Sequence, residues 1–392
     1  MSSGALSVEG ALALLQMKTE MAARHAQLTG ASLDITYRCD LDCEHCYLDE
    51  KNLGRELSTA AWLDVLGQLR DMGAQMIAWS GGEVFARPDF LQLIDAAAAL
   101  GIQSRIKTHA GNIDDVRARA LAERNVHNVA VSIYSINASV HDGVTRVPGS
   151  LERSLLGIQA LQRAGLQPSV TVVAMKANVD ELEAIDDFFF GLGVPVKIAV
   201  NILPDMSSRT QLDDLALDEE DATRALSVGM RAAARRGAPS LYRASMSLEK
   251  DVCVAGRTSL YINPEGEVWP CLTFPMVLGN VRDTALADIW HGSKERKALA
   301  AWKNNERSEC TSCGASGVCG YCPGEAYRRT GNYKVAPPEF HARARAQLRA
   351  HAETEGVQLG EGQLASVPAG PQPMPRRAHF PIRVGPIGGP RP

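Results

Sequence analysis

Between residues 32 and 201, short apolar runs alternate with longer segments in which apolar residues recur every three or four positions. The short runs have the length of buried strands, and the longer segments have the period of amphipathic helices. This alternation predicts a parallel sheet with helices on its outside. The predicted strands are Ser32–Thr36, Met76–Trp79, Ser104–Lys107, Val129–Ile133, Ser169–Met175 and Val196–Ile202. The predicted helices are Thr59–Met72, Pro88–Leu100, Asp114–Glu123, Leu151–Ala164 and Val179–Gly191.

The pattern changes on both sides of this region. A helical period from Val8 to Leu28 predicts a helix that packs on the main domain. The turn Asn263-Pro264-Glu265-Gly266 lies between two apolar runs and predicts a β-hairpin. The Pro- and Gly-rich end cannot bury enough apolar surface to fold alone, which predicts a flexible tail. The predicted domains are an N-terminal helix (1–30), a parallel α/β domain (31–205), a helical bridge (206–250), a cysteine-rich domain (251–350) and the tail (356–392).

Composition narrows the class of protein. A formal charge of -4 over 392 residues gives no electrostatic reason to expect nucleic acid or an acidic membrane surface as a partner. No signal peptide and no apolar run of about 20 residues is present in the sequence, so we expect a cytoplasmic protein. The nine cysteines are odd in number and clustered. In a chain without an export signal, this spacing indicates metal binding rather than disulfides.

The first cysteine cluster follows the first predicted strand. Cys39, Cys43 and Cys46 form a CxxxCxxC motif that offers three thiolates from one short loop. Three thiolates fit an iron–sulfur cluster with one open iron better than a structural zinc site, which takes four ligands. A partial zinc site and three unrelated thiols are the alternatives. In parallel barrels the chemistry lies at the carboxyl ends of the strands, where this loop is predicted.

This strand–loop pattern resembles the radical S-adenosylmethionine (SAM) enzymes. The resemblance implies an incomplete (β/α)6 TIM-like barrel and a [4Fe–4S] cluster on Cys39, Cys43 and Cys46. In that family, the open iron binds the amino and carboxylate groups of SAM. One electron, from a reductant such as flavodoxin or ferredoxin, then cleaves SAM to methionine and a 5′-deoxyadenosyl radical.

The second strand is followed by Ser80-Gly81-Gly82-Glu83. Glycines at a strand end let backbone groups approach a ligand closely, and Glu83 offers an acceptor. The stretch resembles the family's motif for the methionine amino group of SAM. A generic Gly-Gly turn is the alternative, but the position after strand two favours the SAM motif.

Four further residues are candidates for SAM contacts by the same resemblance. Relatives carry a serine on the fourth strand that contacts the SAM ribose, and an arginine that contacts the carboxylate. Ser132 and Arg146 match these positions. His45 fills the place of an aromatic residue near the adenine. Asn178 is either a polar residue facing adenosine or substrate, or a turn residue. No catalytic acid or base can be assigned from the sequence.

The remaining six cysteines lie in the last third of the chain. Cys253 and Cys271 flank the predicted hairpin, and Cys310-x2-Cys313-x5-Cys319-x2-Cys322 follows. Together with Gly266-x4-Cys271, this arrangement resembles the SPASM extension of radical SAM peptide and protein maturases. The resemblance covers roughly Ser32 to Gln347. The quartet is one residue shorter than the commonest version between its last two cysteines, and His341 stands where relatives have a final cysteine.

The resemblance implies two auxiliary clusters, expected to be [4Fe–4S]. Auxiliary cluster I would be bound by Cys253, Cys271 and Cys322. Auxiliary cluster II would be bound by Cys310, Cys313 and Cys319, with His341 as a candidate fourth ligand. Histidine can replace thiolate at iron and raises the cluster's potential. A zinc site at the CxxC pairs and a surface histidine at position 341 are the alternatives.

These features predict a radical SAM/SPASM maturase that oxidatively modifies, by cross-linking in our interpretation, a side chain of a ribosomally made peptide or protein. The first alternative is a radical SAM enzyme that acts on a small molecule such as a tetrapyrrole or cofactor precursor. The missing N-terminal peptide-recognition domain favours this alternative, although many maturases use a separate peptide-recognition partner for that task. The second is a non-catalytic iron–sulfur or zinc protein that binds a partner or relays electrons.

Overall fold

The computed structural model describes residues 27–48, 55–124, 126–203, 212–237, 253–303, 306–360 and 362–368. The predicted N-terminal helix lies almost wholly outside these residues, as do much of the predicted bridge and the tail from residue 369 onward. In the described part, no helix is both long and apolar enough to span a bilayer.

A single sheet of nine strands organises the described residues. The strands are β1 (Gly30–Asp34), β2 (Met76–Ser80), β3 (Gln103–Thr108), β4 (Val126–Ser132), β5 (Pro168–Val173), β6 (Val196–Ala199), β7 (Ser259–Ile262), β8 (Glu267–Trp269) and β9 (Gly279–Asn280). Their order is β6-β5-β4-β3-β2-β1-β7-β8-β9. The first six strands are parallel and in sequence order, which is the arrangement of a partial (β/α)6 barrel. The predicted fold class is therefore confirmed.

Helices follow the parallel strands and cover the sheet. They are α1 (Thr59–Asp71), α2 (Phe90–Ala99), α3 (Asp115–Ala122), α4 (Ala138–Thr145), α5 (Ser150–Arg163), α6 (Leu182–Gly191), α7 (Leu212–Leu215), α8 (Glu219–Arg235), α9 (Leu286–Gly292), α10 (Lys294–Ala301), α11 (Ser308–Thr311), α12 (Pro323–Thr330) and α13 (Pro338–Glu355). The main core lies between this layer and the sheet, with Trp62, Trp79 and Phe189 fully buried. Burial of such side chains supplies the main driving force for this layer.

The predicted hairpin is present as β7 and β8, and it joins the main sheet. Strand β7 pairs in parallel with β1, from Gly30 opposite Ser259 to Leu33 opposite Ile262. The polar helix α8, which the sequence assigned to a bridge, packs against α13 through Ala222, Leu226 and alanines of α13. The cysteine-rich region is therefore continuous with the barrel through a shared ladder.

Residues 362–368 lie within the predicted flexible tail, but the structure packs them against the second cysteine cluster. Val367 is buried beside Ala315 and is in the same apolar group as Cys313 and Cys319. The Gly314 amide donates to Ser366 Oγ at 2.9 Å. Residues 362–368 therefore contact the cysteine-rich region through one buried valine and one exposed serine, which composition does not indicate. The tail from residue 369 onward stays a prediction.

Helix α5 begins after a tight turn that a carboxylate from α4 caps. Asp142 accepts hydrogen bonds from the Gly149 and Leu151 amides at 2.6 and 3.0 Å and from Ser150 Oγ at 2.8 Å. Gly149 is the N-cap of this helix, with φ at 74°. Burial alone would raise the pKa of Asp142, but these hydrogen bonds outweigh it and lower the pKa.

We expect Asp142→Ala to lower the free energy of unfolding by about 1 kcal/mol at neutral pH, the usual cost of losing a cap. A lowered folded-state pKa stabilises the fold above the unfolded-state pKa, and this contribution is lost as pH falls through the folded-state value. The difference between wild type and variant should therefore shrink in acid. Urea unfolding at pH 7 and pH 3.5 checks this, and a difference that grows in acid would contradict it.

Candidate functional site

The loop that carries Cys39, Cys43 and Cys46 leaves β1 at the carboxyl edge of the sheet. Its backbone is held against the end of α4, because the Asp42 amide donates to the Thr145 carbonyl at 3.1 Å. The Cys46 amide donates to the Cys43 carbonyl, also at 3.1 Å, which closes a tight turn. These backbone bonds place the three cysteines at the sheet edge that the sequence predicted for the chemistry.

Gly81 and Gly82 hold the chain that enters this loop. The Gly82 amide donates to the Thr36 carbonyl at 2.9 Å, and the Glu83 amide donates to the Arg38 carbonyl at 2.7 Å. A Cβ at Gly82 would collide with that Arg38 carbonyl, and Gly81 has φ at 128°. The sequence attributed these glycines to the approach of a ligand. The structure shows a second reason, which is the close approach of residues 36–38.

The Glu83 carboxylate is fully buried and accepts several hydrogen bonds. Thr108 Oγ1 lies 2.8 Å from both carboxylate oxygens, the His109 amide lies 3.1 Å from Oε2, and the Phe85 amide lies 3.1 Å from Oε1. These contacts connect the end of β2 to the end of β3. The Glu83 carboxylate therefore accepts hydrogen bonds inside the protein, near the carboxyl edge of the sheet. It does not line the cavity that opens there.

A cavity of about 290 Å³ opens at this edge of the sheet. The residues predicted to bind the cluster and SAM that line it are Cys39, Cys43, His45, Cys46, Ser80, Gly81, Gly82 and Ser132. Residues of the lining that were not assigned from the sequence include Tyr47, Lys107, Thr108, His109, Tyr134, Asn201 and Leu272. Eight of the predicted barrel residues therefore meet at one opening, although they come from three separate strand ends.

His45 and Tyr134 form one wall of the cavity. Their rings meet edge to face, with centroids 4.7 Å apart. Burial lowers the pKa of His45 to about 4, so its imidazole is neutral at pH 7. Its Nδ1 is buried and has no hydrogen-bond partner among the described residues. An unpaired buried nitrogen beside a cavity fits a site for a ligand that carries polar groups.

Tyr134 packs against Cys43 of the cysteine loop. Burial is the main reason that the pKa of its phenol is raised, and the nearby Cys43 raises it further. The side chain of Asn178 lies behind Tyr134. Its amide nitrogen donates to the Tyr134 and Val173 carbonyls at 2.8 and 3.0 Å, and its oxygen accepts from the Met175 amide at 2.8 Å. Of the two interpretations left open by the sequence, this arrangement is that of a turn residue.

Arg146 lies outside the cavity lining. It ends α4 in the left-handed region, with φ at 57°, and its guanidinium is 3.6 Å from Asp42 of the cysteine loop. More than half of its side chain is exposed. The cation that does line the cavity is Lys107, at the end of β3. The assignment of the SAM carboxylate to Arg146 stays a prediction.

His109 forms a hydrogen-bonded link between the third strand end and the cysteine loop. Its Nε2 lies 2.9 Å from Asp40 and 3.2 Å from Glu83, while Nδ1 accepts from the Gly111 amide at 3.0 Å. Burial lowers the pKa of His109, but the two carboxylates outweigh it and raise the pKa. Of the two neutral tautomers, the geometry favours the one with its proton on Nε2, because Nδ1 accepts from the Gly111 amide.

A buried carboxyl lies beneath the cysteine loop. Asp34, at the end of β1, accepts from the hydroxyl of Tyr47 at 2.9 Å and from that of Tyr261 at 2.8 Å. Tyr47 follows Cys46 directly, and Tyr261 lies on β7. Burial raises the pKa of Asp34 despite these hydrogen bonds. Asp34 thus ties the loop to the cysteine-rich region, a role that the sequence did not indicate.

Replacing Asp34 by alanine should lower the free energy of unfolding by about 2–5 kcal/mol, because two buried hydroxyls would lose their acceptor. Asp34→Asn is the matched control. It keeps an acceptor oxygen, so we expect it to cost less than about 1 kcal/mol. Urea unfolding of the metal-free chain followed by circular dichroism measures both variants. An equal loss of unfolding free energy in both variants would mean that the two tyrosine hydroxyls require the negative charge of Asp34 rather than an acceptor oxygen.

The cysteines of the C-terminal region form two groups. Burial raises the pKa of Cys253 to about 12, and nearby Cys271 and Cys322 raise it further. Burial likewise raises the pKa of Cys319 to about 11, with Cys310 and Cys313 as neighbouring thiols. The cysteines that neighbour one another within each group are therefore the same three that the resemblance assigned to auxiliary cluster I or to auxiliary cluster II.

His341 lies on the first turn of α13 and is buried. Ala344 and Leu348 follow at spacings of three and seven residues, which place them on the same face of the helix. Both pack in the apolar group that contains Cys313 and Cys319. The helix face that carries His341 is therefore the face turned to the second cysteine group.

The first cysteine group also has the properties that an iron–sulfur cluster requires. Burial raises the pKa of Cys43 to about 12, with further increases from Cys46 and Cys39. All three thiols line the same cavity. Metal binding must remove these protons, since thiolates are the ligands of iron. Three adjacent thiols and the unpaired His45 nitrogen fit a cluster and a polar cofactor at this opening.

Comparison with known families agrees with this geometry. The profile of the Radical SAM superfamily matches residues 33–189. The profile of SPASM, an iron–sulfur cluster-binding domain, matches residues 253–314. The first range contains the end of β1, the cysteine loop and β2 to β5. The second contains the hairpin and the first part of the cysteine quartet.

Relatives of known activity span most of the chain. A PqqA peptide cyclase from Methylocella silvestris is 28% identical over 87% of this chain and 97% of its own length. An AdoMet-dependent heme synthase from Oleidesulfovibrio alaskensis is 24% identical over 78% of this chain and 85% of its own length.

Solved structures share the fold. SuiB of Streptococcus suis, bound to precursor peptide SuiA, superposes with a TM-score of 0.65 at 19% identity over 84% of this chain and 81% of its own. Native anSMEcpe with bound AdoMet superposes with the same TM-score at 14% identity, over 84% of this chain and all of its own. The chain therefore belongs to the radical SAM superfamily, as an enzyme with a SPASM iron–sulfur cluster-binding domain in its C-terminal region.

Proposed function

We propose that this enzyme uses SAM to oxidise a side chain of a ribosomally made peptide or protein, and that the product is a cross-link. The observation that carries the proposal is the position of Leu272. Leu272 lines the cavity of the cysteine loop. The residue directly before it is Cys271, which forms the first auxiliary group with Cys253 and Cys322. A substrate in the cavity would therefore lie beside a second redox centre that can take up an electron.

Cys39, Cys43 and Cys46 would hold the radical SAM cluster, and Ser80–Gly82 with Ser132 would line the SAM site. When bound, the cluster and SAM supply a 5′-deoxyadenosyl radical that abstracts a hydrogen atom from an unactivated carbon. The protein's part is to orient the substrate and to exclude water. Val173, Ile202 and Leu272 give the cavity an apolar wall suited to that task.

The auxiliary clusters would accept the electron that the substrate loses when the new bond closes. In this proposal Cys253, Cys271 and Cys322 hold one cluster, and the second group with His341 holds the other. Two hydrogens would leave the peptide in total. One is the hydrogen atom that the radical abstracts, and the other leaves as a proton with the electron.

The relatives favour a peptide substrate. One is a PqqA peptide cyclase, and one structural neighbour is bound to its precursor peptide. A separate recognition partner and a one-electron reductant such as flavodoxin or ferredoxin belong to the proposal.

The test is an intact-mass comparison of a short peptide encoded beside the gene and co-expressed with the enzyme. We expect the peptide to lose two hydrogens with the wild type and to stay unmodified with Cys43→Ser. Fragmentation then locates the cross-link. Epimerisation leaves the mass unchanged, so deuterium incorporation is measured as well. An unmodified, unlabelled peptide would overturn the proposal.

A second candidate function is SAM-dependent chemistry on a small cofactor precursor. The heme synthase relatives favour it, because they cover 78% of this chain at 23–24% identity. Incubation of the reduced enzyme with tetrapyrrole precursors distinguishes the two functions. SAM cleavage that depends on the tetrapyrrole, together with an unmodified peptide, would favour the second.

His341→Ala tests the fourth ligand of auxiliary cluster II. We expect an altered iron–sulfur spectrum and a loss of iron after anaerobic reconstitution, because the histidine lies on the helix face turned to Cys313 and Cys319. His351→Ala is the matched control, since it removes an imidazole from the same helix. Unchanged iron content and an unchanged spectrum in His341→Ala would remove it from the ligand set.

A further inference from the structure

The sulfur atoms of the first auxiliary group each have a hydrogen-bonding neighbour. The Ala255 amide lies 3.2 Å from Cys253 Sγ, and the Glu325 amide lies 3.4 Å from Cys322 Sγ. Cys271 Sγ has a side-chain neighbour in addition to backbone amides. The hydroxyl of Thr273 lies 3.0 Å from it.

Thr273 lies between two of the cysteines. Its Oγ1 is 3.0 Å from Cys271 Sγ and 3.6 Å from Cys322 Sγ. Gly324 keeps it there, because a Cβ at Gly324 would lie 2.6 Å from the same oxygen. The chain thus uses a glycine just after Cys322 to make room for one hydroxyl against the sulfur atoms.

The direction of the hydrogen bond follows from metal binding. In the metal-free chain either the thiol or the hydroxyl can donate. A cysteine that binds iron has lost its proton, so the hydroxyl must then be the donor. Thr273 has one proton to donate, and the shorter distance favours Cys271.

We propose that the Thr273 hydroxyl donates a hydrogen bond to the Cys271 thiolate and raises the reduction potential of auxiliary cluster I. Hydrogen bonds to cluster sulfurs stabilise the reduced state, which carries more negative charge. Thr273 is a positioning and tuning residue, since it acts through the cluster and not on the substrate. The inference rests on the ligand set in the proposed function. The Thr273 hydroxyl would help this cluster to accept an electron from a substrate in the adjacent cavity, which Leu272 lines.

Two substitutions separate the hydroxyl from the shape of the side chain. Thr273→Val keeps the volume and removes the donor, whereas Thr273→Ser keeps the donor. Both are made in the Cys43→Ser background of the full chain, so that the radical SAM cluster does not contribute to the signal. Each protein is reconstituted anaerobically, its iron is counted, and its reduction is followed by electron paramagnetic resonance during a potentiometric titration.

We expect one auxiliary signal to shift to a more negative potential in Thr273→Val, with iron content unchanged, and Thr273→Ser to titrate as the parent does. Equal potentials in the valine variant and the parent would overturn the proposal, as would an equal shift in both variants. Loss of about four iron atoms from Thr273→Val would also overturn it, because the hydroxyl would then hold the cluster rather than tune it.

The outcome does not depend on the substrate. If the peptide is not modified, the potentials still test Thr273. If instead Cys271→Ser keeps all its iron, Cys271 is not a ligand of the cluster, and the proposed role of Thr273 is wrong as well. Peptide modification can still be observed in that case. The two proposals are therefore tested separately.

Discussion

Replacing Cys43 by serine should remove about four iron atoms per chain and abolish the cleavage of SAM to 5′-deoxyadenosine. Cys43 is the middle cysteine of the loop, and it lines the same cavity as Cys39 and Cys46. Serine keeps the shape, but its hydroxyl does not ionise at neutral pH and is a poor ligand for iron. Iron analysis after anaerobic reconstitution and chromatography of the SAM products measure the two effects.

Cys253→Ser is the control for this prediction. It removes a thiol from the first auxiliary group, which also contains Cys271 and Cys322. We expect it to lose iron as well, but to retain SAM cleavage, because Cys253 is not in the cavity lining. If Cys43→Ser still cleaves SAM, or if Cys253→Ser alone abolishes cleavage, the assignment of the two cysteine groups is wrong.

The second large effect is expected for Gly82→Ala. The added methyl would meet the Arg38 carbonyl and lie 2.9 Å from the Tyr37 carbonyl, both backbone atoms. The chain that leads into Cys39 would have to move, and the bond from the Glu83 amide to Arg38 would break. We expect the free energy of unfolding to fall by about 3 kcal/mol, the upper end of the usual cost of overpacking. SAM cleavage should fall about 100-fold, which is the scale of a displacement of about 1 Å.

Gly67→Ala provides the comparison, because the same substitution is made inside α1. Nothing lies within 4 Å of its added methyl. Alanine in a helix is favoured over glycine by about 0.5–1 kcal/mol, so this variant should be slightly more stable and fully active. Denaturant unfolding and SAM cleavage are measured on both. Should Gly82→Ala match the wild type in both assays, residues 36–38 would not control the loop.

The sequence was sufficient to predict the six parallel strands, the hairpin and the cysteine groups, because each follows from a local pattern. The alternation of apolar residues identifies strands and helices, and spacing identifies the loops that carry thiols. Local patterns are less informative about element boundaries. Helices α9 and α10 follow one another directly, and Ser293 separates them by capping the second, where it accepts from the Arg296 amide at 3.1 Å.

Side-chain partners were harder to predict. The hydrogen bond between Tyr261 and Asp34 joins residues 227 positions apart, which no local pattern can indicate. Asn178 shows the same limit, because its amide groups bond to backbone carbonyls and an amide rather than facing the cavity. Arg146 matched by position, but its guanidinium lies beside Asp42. A sequence tells which atoms are available, and only the fold decides which of them already have partners.

The ladder between β1 and β7 has a consequence for electron transfer. Four residues of each strand are in register, so one sheet carries the cysteine loop at the end of β1 and the hairpin that leads to Cys271. A hinge at this edge would have to break backbone hydrogen bonds. The spacing between the cysteine loop and the hairpin is therefore set when the chain folds. In the proposed function, in which both carry a cluster, this spacing is the distance that an electron would have to tunnel, and the rate of tunnelling depends steeply on it.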